Sequence, residues 1–320
     1  MPKKIERKKR IVCLGGGNAM PKAILCELKK HQVAISAICA MLDSGGSAGR
    51  LRKEYKIISP GDIRRAFLAL ANTSPAVESL FNFRFQAGDL KGHNFANLFI
   101  TALELSSNDY EKTIKEIKSL LNIEHEVLPS TLDKSHVYAR LENGKIISGE
   151  TNIDIPKHDG RIKIDKVFLR PKARAYDKAI KAIEKGDIIV IGPGDLYSSL
   201  AQILLTEGTA QAIKESKAKK VYICNLMTKY GETNDYTVEN FASKIEEFIG
   251  TEVDYVLYNN KKVSSSRLNS YRKDNKELLD LVKFNSDIND KKFIGADLIK
   301  SKGEISHSSK KLVKRILELS

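Results

Sequence analysis

The chain has 320 residues, of which 42% are hydrophobic and 29% are charged, close to ordinary globular usage. These values exclude a wholly disordered chain, a fibrous chain and a small stapled scaffold. The formal net charge of +14 favours an anionic partner or reflects a lysine-rich proteome. The longest largely apolar stretch, residues 33–42, is about half of the roughly 20 residues that a membrane span needs, so we expect a cytoplasmic protein without a membrane span.

The basic residues are spread along the chain, and no nucleic-acid-binding motif accompanies them, so we predict no specific nucleic-acid partner. Residues 1–10 are expected to form a basic disordered tail. Residues 11–320 are expected to form one domain that becomes less regular from about residue 260. The cysteines are far apart in the sequence and are predicted to be reduced core residues: Cys13, Cys26, Cys39 and Cys224.

Strands and helices alternate along the predicted fold. Buried strands are predicted at residues 11–14, 33–42, 187–191 and 220–224. Helices are predicted to begin near residues 21, 59, 95 and 109, to cover 176–184 and to close the chain at 310–319. In the middle of the chain, Asn143-Gly144 between two short strand-like segments predicts a β-hairpin. This alternation predicts a mostly parallel sheet with helices on both faces and ligands at the carboxyl ends of its strands.

The loop after the first predicted strand, Gly15-Gly16-Gly17-Asn18, suits phosphate. Glycines allow backbone N–H groups to approach an anion, and the helix that follows contributes about half a positive charge at its N-terminus. The loop has neither the Lys-Ser/Thr ending of a Walker A motif nor the third glycine of the dinucleotide fingerprint. A tight turn without a ligand therefore remains the alternative.

The loop after the second predicted strand begins with an acid. Asp43 lies where a doubly wound fold places a ligand-facing carboxylate, and it either binds a sugar hydroxyl or caps the loop. Ser44-Gly45-Gly46-Ser47 offers backbone donors and hydroxyls, and Arg50 offers a forked donor to an anion. Asp62 follows Ser59 by three residues and is predicted to complete a capping box.

Two further loops carry candidate ligand groups. His93-Asn94 and Asn97 combine an imidazole with two amides for hydroxyl recognition or proton transfer, although His93 has a structural alternative. No second histidine or cysteine stands at ligand spacing, so we predict no metal site. Gly192-Pro193-Gly194-Asp195 precedes Tyr197-Ser198 at a helix start and forms a second anion-binding geometry. The two glycine loops could flank one diphosphate.

A third loop follows the strand predicted at residues 220–224. Asn225 and Thr228 are candidate ligand contacts there. Glu232 either binds a ligand hydroxyl or caps a neighbouring helix.

Taken in order, these motifs resemble the CofD family, the proteins related to 2-phospho-L-lactate transferase, and within it the YvcK branch of gluconeogenesis factors. The resemblance runs over most of the chain. The motifs that carry it are Gly15-Gly16-Gly17, the run from Asp43 to Arg52, Pro60-Gly61-Asp62-Ile63-Arg64, the run from Gly92 to Leu98, the run from Gly192 to Ser199, Asn225-Leu226-Met227-Thr228 and Gly231-Glu232-Thr233.

The resemblance implies a Rossmann-like three-layer fold and, for the YvcK branch, binding of a UDP-sugar in support of cell-wall synthesis and cell shape during gluconeogenic growth. The alternative that it implies is a transferase, which moves a phospholactate-type group from a nucleotide diphosphate donor to an acceptor hydroxyl. In that enzyme Asp43 would be catalytic and would orient the acceptor. We expect no built-in cofactor, magnesium only in company with a nucleotide diphosphate, and a homo-oligomer.

Two positions depart from the YvcK pattern. Ser44 stands where many members of the branch have a second aspartate. Tyr271 is the counterpart of a tyrosine that resembles a nucleotide-sugar contact, but Ser306-His307-Ser308 lacks the arginine of the matching stretch. Losing a charge-assisted contact costs about 1.5 to 3 kcal/mol, or roughly ten- to a hundredfold in affinity.

Overall fold

The structure is a computed structural model, and it describes residues 7–285 and 290–319. The first six residues of the predicted tail lie outside the described residues. In chain order the strands are β1 (Lys9–Gly15), β2 (Val33–Cys39), β3 (Glu126–Pro129), β4 (His136–Leu141), β5 (Ile146–Ser148), β6 (Ile164–Arg170), β7 (Ile188–Ile191), β8 (Lys219–Ile223), β9 (Met227–Lys229), β10 (Tyr255–Asn259), β11 (Leu278–Leu281) and β12 (Phe293–Ala296).

The helices surround these strands. In chain order they are α1 (Cys26–Leu28), α2 (Gly46–Tyr55), α3 (Gly61–Leu70), α4 (Pro75–Asn82), α5 (Phe95–Ser107), α6 (Tyr110–Leu120), α7 (Glu150–Asp154), α8 (Asp177–Lys185), α9 (Ala201–Leu204), α10 (Thr209–Glu215), α11 (Val238–Ile249), α12 (Ser265–Asp274) and α13 (Ser309–Glu318). Two π-helical turns, Pro21–Leu25 and Leu196–Leu200, run directly into α1 and α9.

The central sheet has seven strands in the order β12-β10-β8-β7-β1-β2-β3. Each neighbouring pair in it is parallel. Strand β1 shows why both faces are covered, since Val12 and Leu14 belong to one buried apolar cluster and Ile11 and Cys13 to the other. Side chains alternate along a strand, so a strand that is apolar at every position requires helices on both sides. The predicted Rossmann-like α/β fold is confirmed.

Two smaller antiparallel sheets flank the central one. Strands β4 and β5 pair as the hairpin that Asn143-Gly144 predicts, and β6 adds a third strand on the other side of β4. Strand β9 pairs with β11, so the predicted loop after β8 contains a short strand. The sequence pattern missed β6, β9 and β11 in these small sheets, and it also missed β3, β10 and β12 of the central sheet, because each is short or partly exposed.

Three local expectations were wrong. Strand β2 ends at Cys39 rather than at residue 42, and the backbone N–H of Leu42 donates instead to Oε1 of Gln202 at 3.0 Å. Helix α3 begins without a side-chain cap, and the hydroxyl of Ser59 is buried without a hydrogen-bond partner in the part of the chain that is described. Cys26 is exposed on the helical run after β1, although the other three cysteines are buried.

The helices are short or amphipathic. Within residues 7–285 and 290–319, none combines the length and the apolar character that crossing a bilayer demands.

We expect the centre of the sheet to dominate stability. Leu14 on β1 is fully buried, whereas Leu120 at the end of α6 is 55% exposed. Leu14→Ala should lower the free energy of unfolding by about 2 to 5 kcal/mol, because a buried cavity is left behind. Leu120→Ala is the matched control and should change it by less than about 0.5 kcal/mol. Urea titration checks both values, and equal losses in the two variants would contradict the assignment of the core.

Candidate functional site

A cavity of about 910 Å³ opens at the carboxyl edge of the central sheet. The loops after β1, β7 and β8 form one side of it, and the segment containing α12 and residues 300–307 forms the other. Strands β1 and β7 are direct neighbours, and the N–H of Gly192 donates to the carbonyl of Leu14 at 2.8 Å, so their loops leave the sheet side by side. The predicted site residues that line the cavity are Asn18, Pro193, Gly194, Asp195, Asn225 and Tyr271.

The first glycine loop packs very closely against its neighbours in the protein. A Cβ atom on Gly16 would lie 2.6 Å from Oγ of Ser199 and 2.7 Å from Oδ2 of Asp62, so a larger residue does not fit. Gly17 has a φ of +60°, which favours glycine. These two constraints hold the loop against the carboxylate of Asp62 and turn Asn18 towards the cavity.

The C-terminal segment closes the cavity with a narrow hairpin. The N–H of Lys300 donates to the carbonyl of Ser306 at 3.0 Å, and the N–H of Ser308 donates to the carbonyl of Leu298 at 2.7 Å. Arg267 on α12 donates to the carbonyls of Gly303 and Glu304 at the tip of this hairpin. The segment that sequence analysis expected to be less regular thus forms one wall of the site.

A buried lysine next to this cavity forms ion pairs with three carboxylates, one of which lines the cavity. Nζ of Lys229 forms ion pairs with Asp154, with Asp195 at 3.1 Å and with Glu232 at 3.1 Å. Burial opposes the charge of Lys229, but the three carboxylates together raise its pKa above the ordinary value. Lys229 is therefore a permanent ammonium group, and it joins α7, the loop after β7 and the loop after β9.

The same three carboxylates are also close enough together to form a candidate metal site. One oxygen from each of Asp154, Asp195 and Glu232 lies within 4.8 Å of the others, a spacing that suits a divalent cation. The ammonium group of Lys229 already lies among these oxygens and neutralises them in part. Magnesium does not fit this triad unless Lys229 leaves it.

Glu232 also serves as a helix cap. Its carboxylate accepts hydrogen bonds from the backbone N–H groups of Tyr197 and Ser198, each at 3.1 Å, and from the Ser198 hydroxyl at 2.9 Å. The hydroxyl of Tyr197 meets that of Tyr236 at 2.7 Å. The contacts therefore support the capping alternative for Glu232, and the helix start that follows Asp195 is occupied by a protein carboxylate.

A second acidic group lies behind the first glycine loop. Oδ1 of Asp43 accepts from the N–H of Gly45 at 2.8 Å, as a loop cap does. Burial raises the pKa of Asp62 to about 6; Arg65 lowers it, Asp43 raises it further, and a hydrogen bond from the Gly17 backbone lowers it. Asp62 therefore supports the glycine loop and does not complete the predicted capping box.

Glu150 on α7 completes this acidic group. It accepts from the N–H of Ser44 at 3.3 Å, and the hydroxyl of Thr151 donates to it at 3.1 Å. Burial raises the pKa of Glu150 to about 8, and the nearby carboxylates of Asp43 and Asp154 raise it as well. With a pKa of about 8, Glu150 is largely protonated at neutral pH.

The predicted polar group around His93 is held together by one serine. Oγ of Ser47 meets Nδ1 of His93 at 3.2 Å and also bonds the backbone N–H of Asn94 and the side-chain amide of Asn97, each at 3.2 Å. Asn94 caps α5 and donates to the carbonyls of Phe81 and Phe83. Burial lowers the pKa of His93, and Arg50 lowers it further. These side chains are engaged in joining α2 to α5.

Three other predicted site residues, Arg50, Thr228 and Gly46, do not line the cavity. Arg50 donates to the carbonyl of Lys91 at 3.1 Å on the surface. The hydroxyl of Thr228 bonds the backbone of Asp280 at 3.3 Å and so anchors β11. Gly46 has a φ of +50° at the start of α2.

Sequence reasoning missed several residues that shape the site. Asp62 was assigned only a capping role, and three others received no role: Glu150, Asp154 and Lys229. Their partners are remote in the chain, as Ser44 and Glu150 show with a separation of 106 residues. Only a signal that pairs distant positions would have identified them.

Comparison with known proteins gives a consistent family. The chain matches the family model of 2-phospho-L-lactate transferase CofD over residues 11–299. A gluconeogenesis factor of Halalkalibacterium halodurans is 39% identical over 274 residues, which are 85% of this chain and 84% of that protein. One from Listeria innocua serovar 6a is 38% identical over 267 residues, which are 82% of this chain and 81% of the relative.

Solved structures agree with the sequence matches. A crystal structure of a protein from Bacillus halodurans is similar with a TM-score of 0.90 and 36% identity, covering 97% of this chain and 100% of that one. A second crystal structure from the same organism, of a member of the upf0052 family, has a TM-score of 0.91. The chain therefore belongs to the CofD family, and within it to the branch whose members are named gluconeogenesis factors.

The protonated state of Glu150 predicts a pH dependence of stability. A carboxyl whose folded pKa is raised from 4.5 to about 8 binds more protons in the folded state, so its contribution to stability falls as pH rises through that window. Glu150→Gln removes this pH-dependent contribution to the free energy of unfolding. The difference between the variant and the wild type should be smallest near pH 5, and the variant should be clearly the more stable of the two at pH 8.

Urea unfolding at pH 5, 6.5 and 8 measures this difference. Glu142→Gln on the exposed hairpin is the matched control and should track the wild type at all three values. A wild type that stays more stable than Glu150→Gln at pH 8 would show that Glu150 is ionised in the folded protein.

Proposed function

We propose that this protein is a cytoplasmic gluconeogenesis factor that binds a UDP-sugar and thereby supports cell-wall synthesis and cell shape during growth on gluconeogenic carbon. The observation that carries the proposal is the cavity of about 910 Å³ between the glycine loops after β1 and β7. Its size is within the range of small-molecule sites, and its place at the carboxyl ends of parallel strands is where such folds bind nucleotides.

The proposed diphosphate position is the strand-end side of the cavity. Asn18, Pro193 and Gly194 line this side and present backbone and amide groups. A Cβ atom on Gly194 would lie 3.3 Å from the side chain of Leu200 and 3.5 Å from Oγ of Ser199, so the loop packs closely against the helical turn that follows it. Lys22 and Lys300 line the same cavity and offer positive charge.

The proposed nucleoside position is the part of the cavity between the loop after β8 and the C-terminal segment. Leu226, Met227 and Ile305 belong to a small buried apolar cluster, and Tyr271 packs against it. Each of these four residues also lines the cavity. An apolar wall with an aromatic ring suits the face of a base, and the polar groups nearby suit its edge.

A specific observation also favours the transferase as a second candidate. Asp43 is close enough to Asp62 and to Glu150 to raise the pKa of each, and these two pKa values are about 6 and about 8. Groups that titrate near neutral pH can move a proton to or from an acceptor hydroxyl. In this function Asp43 would orient the acceptor of a phospholactate-type group.

A turnover assay separates the two functions. If the protein is a transferase, nucleotide release from a nucleotide-linked phospholactate donor should require an acceptor alcohol and should fall by at least about a hundredfold in Asp43→Asn. If the protein only binds, neither the wild type nor the variant releases nucleotide, and both retain UDP-sugar affinity.

Binding is tested by adding charge to the proposed diphosphate position. Asn18→Asp keeps the shape of the side chain but places a carboxylate beside the diphosphate, so the affinity for UDP-N-acetylglucosamine should fall about tenfold in calorimetric titration. Asn143→Asp at the exposed turn of the β4–β5 hairpin introduces the same charge away from the cavity and should leave the affinity unchanged.

The outcomes are distinct. No heat of binding from the wild type at millimolar ligand would reject the proposal. Equal losses in the two variants would show a response to net charge and not to a local site.

A further inference from the structure

His307 has an unused hydrogen-bonding atom at the wall of the cavity. It lies on the inner strand of the C-terminal hairpin, where it pairs with Ile299, and only 9% of its surface is exposed. It lines the cavity, and its Nε2 finds no hydrogen-bond partner among residues 7–285 and 290–319. An imidazole nitrogen that is buried without a partner costs about 1 to 3 kcal/mol, so its presence at a cavity wall points to a ligand.

The backbone of Cys224 fixes the role of this nitrogen. Burial lowers the pKa of His307 to about 4, and a hydrogen bond to the backbone of Cys224 acts in the opposite direction. The N–H of Cys224 already donates to the carbonyl of Leu257 at 2.9 Å, so the carbonyl of Cys224 is the group that receives the imidazole N–H. The ring is therefore neutral, Nδ1 is the donor, and Nε2 is left as an acceptor.

Two neighbours point to the same kind of ligand. Oδ1 of Asn225 and Oγ of Ser306 also line the cavity, and both are buried without a partner in the described part of the chain. Asn225 follows β8 directly after Cys224, and Ser306 precedes His307. This end of the cavity thus presents two acceptors and a hydroxyl, and Lys300 and Glu304 of the same hairpin also line the cavity.

We propose that Nε2 of His307 accepts a hydrogen bond from a neutral N–H or O–H group of the nucleoside, either the ring N–H of the base or a ribose hydroxyl. His307 is then a specificity-determining residue. It selects nucleosides that carry this donor and rejects those in which the donor is methylated or absent, because Nε2 would stay buried and unpaired. This inference rests on the proposed binding of a uridine nucleotide in the same cavity.

The inference also explains how the site can work without the arginine that the YvcK pattern has in this stretch. Ser306 stands at the position of that arginine, so the adjoining wall offers no cationic contact there. A neutral acceptor such as Nε2 of His307 distinguishes ligands with a matching donor from ligands without one, even where it adds little affinity.

A double-mutant cycle between protein and ligand tests the contact. The ligands are UDP and three analogues that each lack one donor: 3-methyl-UDP, 2′-deoxy-UDP and 3′-deoxy-UDP. In the wild type one of these analogues should bind about tenfold more weakly than UDP. In His307→Phe, which keeps the ring but lacks the acceptor, the same analogue and UDP should bind equally. His307→Gln, which restores an acceptor oxygen, should recover part of the discrimination.

The possible outcomes distinguish failure of this inference from failure of the proposed function. If UDP binds the wild type and no analogue is weaker, or if His307→Phe keeps the full discrimination, the inference is overturned while the proposed function stands. If UDP and UDP-N-acetylglucosamine fail to bind the wild type, the proposed function and this inference fail together. If His307→Phe does not fold, as circular dichroism will show, His307→Leu takes its place in the same cycle.

Discussion

The position of the site depends on the connections of two adjacent parallel strands, β1 and β7, which lead towards opposite edges of the sheet. From β1 the chain crosses to β2, and from β7 it crosses to β8, although β1 and β7 are neighbours in the sheet. Parallel crossovers are right-handed, so the helical runs after β1 and β7 pack on opposite faces and their loops diverge. The crevice between these loops is a product of topology. At the end of β1, Gly16 allows the loop to pack closely against Ser199 and Asp62, and Asn18 of the same loop lines the crevice.

The buried charges then hold the walls of this crevice in place. Lys229 is 8% exposed at its side chain and is tied to Asp154, Asp195 and Glu232, which come from three separate parts of the chain. Removing Lys229 would leave these carboxylates without a counterion, and the loss of a partner from a buried ion pair costs about 3 to 5 kcal/mol. Lys229 thus acts as an internal counterion, and it holds Asp195 at the edge of the cavity.

The fold and the glycine loops could be predicted from the sequence because their signals are local. A short apolar run followed by Gly15-Gly16-Gly17 or by Gly192-Pro193-Gly194 defines a strand and its loop within about ten residues. The roles of Asp62, Glu150 and His307 could not be predicted, since each depends on burial and on a partner from another element. The period-two pattern also cannot show where β2 stops pairing, because residues 40–42 stay buried after the ladder ends at Cys39.

The net charge of +14 suggests an anionic partner, but the cavity does not share that charge. Its lining combines three basic side chains with three acidic ones: Lys22, Arg267 and Lys300 with Asp195, Asp274 and Glu304. Arg267 is in addition engaged with hairpin carbonyls. A long-range field therefore contributes little to drawing an anion into this site. If the proposed nucleotide binds here, its recognition depends on short-range contacts with the backbone at the glycine loops and with the neutral hydrogen-bonding atoms around His307, which favour a ligand of matching shape.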